Sequence, residues 1–216
     1  MLYKKNQTSS LDPKLFQNPT SEYRGTPFWA WNCKVSKEDV DRTLNALKKM
    51  GMGGAHIHSR TGMDLPYLGK EFMEMVHYSH EKSNELGMIT WLYDEDRWPS
   101  GYAGGLVTKD PAFRQRFLVF SPEELPLHEE VKAEEGGSSA RAISSGNREF
   151  LGRYAIRLEN GYLTKYYRLS AEAPVPEGFE TWYLYREISG DNAWFNDEAY
   201  VDTLNPRAMD KFIEIT

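Results

Sequence analysis

Residues 27–58 read PFWAWNCKVSKEDVDRTLNALKKMGMGGAHIH, and this stretch decides the fold. The apolar run 27–31 predicts a buried strand, because it is short and bounded by turn residues. Ser36 then predicts a helix N-cap, and apolar residues follow it at helical spacing until Gly51, a residue type that commonly ends helices. Residues 54–58 predict a second strand. A strand, a helix and a strand joined by short links indicate a parallel βαβ unit.

The same alternation continues toward the middle of the chain. A helical pattern covers about residues 70–86, and the β-branched and aromatic run 88–93 predicts a third strand. We therefore expect an α/β fold with about three βα units of a (β/α)8 TIM-type barrel. A complete barrel takes about 250 residues, and a further helical pattern runs from Asn205 to Thr216, where the chain ends. We expect a partial barrel that belongs to a larger protein.

The alternation of predicted strands and helices is interrupted between the third strand and the helical pattern that begins at Asn205. Asn160-Gly161 lies between two strand-like runs and is a strong hairpin signal, whereas residues 121–148 are rich in Glu, Gly and Ser and predict exposed loop. The predicted segments are an irregular N-terminal arm at 1–24, the first barrel units at 25–111, an antiparallel β insertion at 112–190 and a truncated return to the barrel at 191–216.

The composition argues against several classes of protein. The formal net charge of −6 argues against a nucleic-acid partner, because phosphate binding needs a basic face. No apolar run approaches the roughly 18 residues of a membrane span, and no apolar stretch of a secretory signal follows the N-terminal lysines. Cys33 is the only cysteine, which suits a reducing compartment. We expect a cytoplasmic protein without a membrane partner.

Polar and aromatic side chains lie at the end of each predicted strand. Ligands of parallel α/β folds bind at the carboxyl ends of the strands, so three such clusters on one rim indicate a binding site. The aromatic share of 13% suits a sugar ligand, since Tyr and Trp combine a flat apolar face with a polar tip, although core packing explains the same share. The predicted substrate-binding residues are Trp29, Trp31, Asn32, His56, His58, Arg60, Asp94, Glu95, Asp96, Arg97 and Trp98.

The acidic run Asp94-Glu95-Asp96 is the densest of these clusters. Three consecutive acids after an apolar strand are costly to bury without partners, and Arg97 is placed to pair with one of them. Asp94 and Glu95 are candidate catalytic carboxylates for glycoside hydrolysis. Adjacent residues diverge in direction, however, and a catalytic pair normally comes from two strands. An ordinary solvated turn stabilised by the arginine is the alternative.

His56 and His58 point to a second chemistry. Two histidines separated by one residue lie on the same side of a strand, as metal ligands in hydrolase barrels do. A metal site needs further ligands from other elements, and no second histidine cluster lies at a predicted strand end. We therefore predict no metal-ligating set in this chain. Hydrogen bonds to substrate hydroxyls and a structural role at the rim are the alternatives for these histidines.

Four segments resemble the N-terminal barrel region of bacterial glycoside hydrolases related to the α-L-rhamnosidases of family 106. They are residues 26–32 (TPFWAWN), 51–62 (GMGGAHIHSRTG), 91–101 (WLYDEDRWPSG) and 200–206 (YVDTLNP). The resemblance implies a (β/α)8 catalytic domain whose acid and base are carboxylates on later strands. It also implies a calcium ion near the substrate of the full-length enzyme, with no calcium ligand assigned to this chain.

These observations predict the N-terminal portion of a glycoside hydrolase, similar to α-L-rhamnosidases, that acts on plant or microbial oligosaccharides. Its ligand is then a carbohydrate, its partner is the remainder of its own polypeptide, and no cofactor is expected within the chain. We expect this portion to be inactive alone, because the catalytic pair is incomplete. The alternatives are a metal-dependent hydrolase that uses His56 and His58, and a non-catalytic carbohydrate-binding module built on the aromatic residues.

Overall fold

The computed structural model describes residues 9–131 and 143–216. The first eight residues of the predicted arm, and residues 132–142 of the predicted loop, lie outside these ranges. The chain divides into two compact units, one of residues 1–104 with Thr216 and one of residues 105–215. The protein is mixed α/β, with a three-stranded parallel sheet in the first unit and a four-stranded antiparallel sheet in the second.

Apart from the short helix Pro13–Gln17, the helices and strands follow the predicted order along the chain. The strands are β1 (Phe28–Trp31), β2 (Gly54–Ser59), β3 (Ile89–Leu92), β4 (Arg116–Ser121), β5 (Ser144–Glu159), β6 (Tyr162–Leu169) and β7 (Glu180–Ser189). The α-helices are α1 (Pro13–Gln17), α2 (Lys37–Lys49), α3 (Lys70–Glu85) and α4 (Pro206–Ile215). Single 3-10 turns lie at Ser21–Tyr23, Ala103–Gly105, Pro111–Phe113 and Ala193–Phe195.

The parallel sheet has β2 at its centre, with β1 and β3 on either side. Trp31 pairs with Ser59 across β1 and β2, and Ile57 pairs with Leu92 across β2 and β3. α2 contacts β2, α3 contacts β3, and the two helices contact each other. The carboxyl ends of the three strands therefore meet at one edge of the sheet, as the predicted βα units require.

The predicted cap of α2 is confirmed. The Ser36 side chain accepts a hydrogen bond from the N–H of Asp39 at 3.2 Å, and the Asp39 carboxylate accepts one from the N–H of Ser36 at 3.1 Å. Beyond the helix, Gly51 has φ +81°, a conformation that costs glycine little because it has no Cβ. The core of the first unit includes the fully buried side chains of Trp31, Val40, Leu44, Ile57 and Phe72.

The antiparallel sheet runs in the order β4-β7-β5-β6. β5 and β6 are joined at Asn160 and Gly161, whose φ angles of +54° and +81° fit the type I′ hairpin turn, so the predicted hairpin is confirmed. The prediction of exposed loop up to residue 148 is wrong at its end. β5 already begins at Ser144, and Arg148 pairs with Glu187 of β7. Pairing with a distant strand overrides the local polar composition.

The N-terminal arm is not irregular throughout, which corrects the prediction for residues 1–24. The Asp12 side chain accepts hydrogen bonds from the N–H groups of Lys14 at 2.8 Å and Leu15 at 3.3 Å. Pro13 occupies the first turn of the short helix α1. An Asp N-cap followed by Pro is a helix-start signal that the polar composition of the arm obscured.

The helix predicted after Asn205 is also confirmed. The Asn205 side chain accepts a hydrogen bond from the N–H of Arg207 at 3.2 Å, and α4 begins at Pro206. Across residues 9–131 and 143–216, no helix has both the length and the apolar character needed to cross a membrane.

Candidate functional site at the carboxyl ends of the parallel strands

Aromatic rings and histidines cluster on one face of the parallel sheet. The ring centroid of Phe28 lies 5.6 Å from that of His56, 5.3 Å from that of His58 and 6.1 Å from that of Tyr93. The rings of His58 and Tyr93 meet edge to face at 4.3 Å. Both histidines therefore share one side of β2, as their spacing predicts. Phe28 and Tyr93 were missed by the sequence analysis, although strand alternation places them on the face that carries the histidines.

His58 is the buried histidine of this cluster. Burial lowers the pKa of His58 from the ordinary value of 6.5, and the charge of Arg60 lowers it further. A hydrogen bond that the ring donates to the Arg97 backbone opposes this shift. The Nε2 atom of His58 has no hydrogen-bond partner among the described residues. The lowered pKa favours the neutral ring, whose proton is directed at Arg97, and the Nε2 atom is buried.

His56 is held by its surroundings. Its Nδ1 lies 2.9 Å from the Thr26 carbonyl oxygen, to which it donates a hydrogen bond. Its ring stacks on Trp91 with centroids 5.5 Å apart. No group of three or more His, Cys, Asp or Glu side chains with the arrangement of a metal site occurs within residues 9–131 and 143–216. The rings of both histidines are thus held in place by neighbouring residues at this edge of the sheet.

Glu95 is fully buried, and four backbone N–H groups surround its carboxylate. Oε1 accepts from Asp96 at 2.6 Å and from Ala103 at 2.7 Å, while Oε2 accepts from Tyr102 at 3.1 Å and from Gly101. Burial raises the pKa of Glu95, and the hydrogen bonds from the backbone oppose that rise. All four donors lie in the segment that follows β3, so this carboxylate is occupied within its own loop.

Asp96 and Arg97 form a buried ion pair beside Glu95. This confirms that Arg97 pairs with one of the three acids. Burial raises the pKa of Asp96, and the charge of Arg97 opposes the rise. The second carboxylate oxygen of Asp96, Oδ1, has no hydrogen-bond partner in the part of the chain that the structure describes. Arg97 has φ +71°, which is uncommon for a residue with a side chain.

The remaining predicted residues at this edge are accessible to a ligand. Asp94 is exposed two residues after β3, and Trp98 is 61% exposed in the same loop. Asn32 follows β1 and Arg60 follows β2, and both are exposed. A sugar ligand needs an apolar surface together with charged and polar groups, and these four residues supply both.

Trp29 and Trp31 belong to a different environment. Trp31 has no exposed surface and meets Phe72 of α3 edge to face, with ring centroids 5.7 Å apart. Trp29 packs edge to face on Trp31 at 5.6 Å and borders the same core. We assign both tryptophans to the packing between the sheet and its helices.

Tyr67 lies near the acidic loop and was missed by the sequence analysis. Its pKa is raised, first by burial and then by the charges of Glu95, Asp96 and Asp94. A Cβ built on Gly104 would lie 3.1 Å from the Tyr67 Cβ, so the end of the loop packs closely on this tyrosine. Its place in the loop after β2, on the carboxyl side of a strand, is the sequence signal that points to it.

Two carboxylates at this edge already have other partners and are poorly suited to ligate a calcium ion of the kind that the family resemblance implies. Calcium takes about six to eight oxygen ligands. Four N–H groups already occupy the Glu95 carboxylate, and Asp96 is paired with Arg97. We therefore assign no role in the chemistry of this edge to calcium.

Comparison with known proteins adds little to this geometry. No protein-family model and no curated protein matches the chain. A solved structure of a rhamnosidase from Novosphingobium sp. PP1Y is similar with a TM-score of 0.40 and 19% sequence identity, over 66% of this chain and 15% of that one. The chain thus spans a small part of the length of that protein, and a likeness of this size carries no argument about function.

Proposed function

We propose that this chain supplies the first βα units of the (β/α)8 barrel of a glycoside hydrolase and binds part of the carbohydrate substrate. The observation that carries the proposal is the rim beyond β2 and β3. There, exposed Asp94 and Trp98 lie on a loop built around buried Glu95, and that loop is hydrogen-bonded to His58. Ligands of (β/α)8 enzymes bind at this end of the strands.

The chemistry of the rim suits a sugar. The exposed face of Trp98 offers a surface for the apolar C–H groups of a pyranose ring. Asp94 is a hydrogen-bond acceptor for hydroxyl groups, and Arg60 is a donor. The resemblance of four segments to family 106 enzymes favours an α-L-rhamnoside, whose 6-methyl group adds apolar surface to the ring.

Hydrolysis requires a carboxylic acid and a second carboxylate that face each other across the glycosidic bond. Glu95 and Asp96 are buried and bonded within the loop, which leaves exposed Asp94 as the candidate at this edge. We propose that the catalytic pair is completed by residues outside this chain. The purified chain should then show no hydrolysis of aryl α-L-rhamnosides above the buffer background. Hydrolysis by the purified chain that Asp94→Asn abolishes would contradict the proposal that the catalytic pair is completed outside this chain.

Binding is the more direct test of the proposed function. We expect L-rhamnose, titrated into the chain and followed by NMR, to shift resonances of residues 94–104 and of His58. Trp98→Ala should weaken this binding, while the matched change Trp194→Ala, at an exposed tryptophan of the second unit, should leave it unchanged. Equal effects of the two substitutions, or no saturable binding by the unaltered chain, would contradict the proposal. A tightly bound transition metal in the purified chain would favour the metal-dependent hydrolase instead.

A further inference from the structure

The loop of residues 94–104 is closed on itself by a single side chain. The four N–H groups that donate to the Glu95 carboxylate lie one, six, seven and eight residues later in the sequence. Hydrogen bonds to an ionised carboxylate are stronger than those between neutral groups. A backbone bonded at four points to one carboxylate has few other conformations open to it.

Two further contacts fix the loop to the rest of the first unit. The ring of His58 is hydrogen-bonded to the Arg97 backbone, and the end of the loop packs on Tyr67 at Gly104. Arg97, which directly precedes Trp98, has φ +71°. This conformation is disfavoured for a residue with a Cβ and persists only where neighbouring contacts hold it.

We propose that Glu95 is a positioning residue, whose carboxylate holds the loop so that Asp94 and Trp98 are presented at the rim. Glu95 does not touch the ligand itself, because its side chain is fully buried and both of its oxygens accept backbone hydrogen bonds. The role in sugar binding rests on the proposed function. The control of loop conformation does not, and it is testable without a ligand.

Amide hydrogen exchange tests the control of conformation. In the unaltered chain, the N–H groups of Asp96, Gly101, Tyr102 and Ala103 should exchange more slowly than that of Gly161 at the exposed hairpin turn. Glu95→Gln places an amide donor against these N–H groups, and it should speed their exchange about 10- to 100-fold, the range for losing a hydrogen bond to a charged group. The matched change Glu124→Gln, at an exposed glutamate, should leave all four rates unchanged.

The measurement on the unaltered chain keeps the test decisive if Glu95→Gln does not fold. Exchange of the four amides as fast as that of Gly161 would overturn the proposal without any variant. For a folded Glu95→Gln protein, 19F NMR of the chain labelled with 5-fluorotryptophan reports the position of Trp98. The Trp98 resonance should move or broaden more than those of the other tryptophans, and an unmoved resonance would overturn the proposal.

Measurements of sugar binding distinguish the control of the loop by Glu95 from the proposed function. Glu95→Gln and Trp98→Ala should each weaken L-rhamnose binding, and the double variant should lose less than the sum of the two single losses, because both changes remove the Trp98 contact. Additive losses would overturn the positioning role. Absence of L-rhamnose binding by the unaltered chain, with slow amide exchange retained, would refute the proposed function and leave the control of the loop by Glu95 standing.

Discussion

The Nε of Arg148 donates a hydrogen bond to the buried carboxylate of Glu187 at 2.9 Å in the antiparallel sheet. The two residues are direct neighbours across β5 and β7. The same carboxylate accepts hydrogen bonds from the Ser144 hydroxyl at 2.5 Å and the Gly146 N–H at 3.0 Å. The irregular pairing of β5 between Ser144 and Arg148 is therefore organised around one buried glutamate.

Replacing Arg148 should strongly destabilise the second unit. Arg148→Met leaves the Glu187 charge buried with one cationic partner removed, a change that typically costs about 3–5 kcal/mol of unfolding free energy. Arg186→Met breaks an ion pair with Glu149 in which both side chains are about half exposed, and such pairs contribute about 0–1 kcal/mol. Chemical denaturation followed by circular dichroism measures both losses. Equal losses would show that the buried ion pair contributes no more to the unfolding free energy than the exposed one.

Acidification should destabilise the first unit through His58. Because the folded pKa of His58 is lowered by burial, the folded protein binds this proton less readily than the unfolded chain does. Its contribution to stability is present above pH 6.5 and is lost as the pH falls through the lowered folded pKa. Denaturant titrations between pH 5 and pH 8 should show a smaller pH dependence in His58→Asn than in the unaltered chain.

In the glycoside hydrolase that we propose contains this chain, Asp94 and Trp98 should contribute to transition-state binding. A lost hydrogen bond to a charged group costs about 1.5–3 kcal/mol, so Asp94→Ala should lower kcat/KM about ten- to a hundred-fold. Trp98→Ala should lower it over a similar range through loss of the apolar surface. Steady-state kinetics with an aryl α-L-rhamnoside measure both changes. Unchanged kinetics in folded variants would assign the two residues to an ordinary solvated turn.

The hairpin turn offers a test of backbone conformation alone. Gly161 has φ +81°, and a Cβ added there would meet no atom within 4 Å. Gly161→Ala should therefore destabilise the second unit by about 1–2 kcal/mol through the left-handed conformation and not through a clash. Gly152→Ala, which adds a Cβ at ordinary contact distance from Arg168 on the neighbouring strand, should cost less. Thermal unfolding compares the two, and a smaller loss in Gly161→Ala would contradict the turn assignment.

Local sequence patterns predicted the elements of both units well. The cap at Ser36, the three parallel strands and the Asn160-Gly161 hairpin depend on residues close together in the chain, so short-range rules recover them. The start of β5 at Ser144 was not predicted, because a polar Ser- and Gly-containing segment becomes a strand by pairing with β7. The short helix α1 was missed for a different reason, since its cap signal was outweighed by the polar composition around it.

The sequence by itself determined which strand ends form the candidate site, because the carboxyl ends of consecutive parallel strands meet at one edge. Only the tertiary structure decided what each residue does there. Three adjacent acids look alike in sequence, yet Asp94 is exposed, Glu95 is enclosed by four N–H groups and Asp96 is buried against Arg97. Burial and hydrogen bonding depend on how the backbone folds back after β3, and periodicity along the chain carries no information about that path.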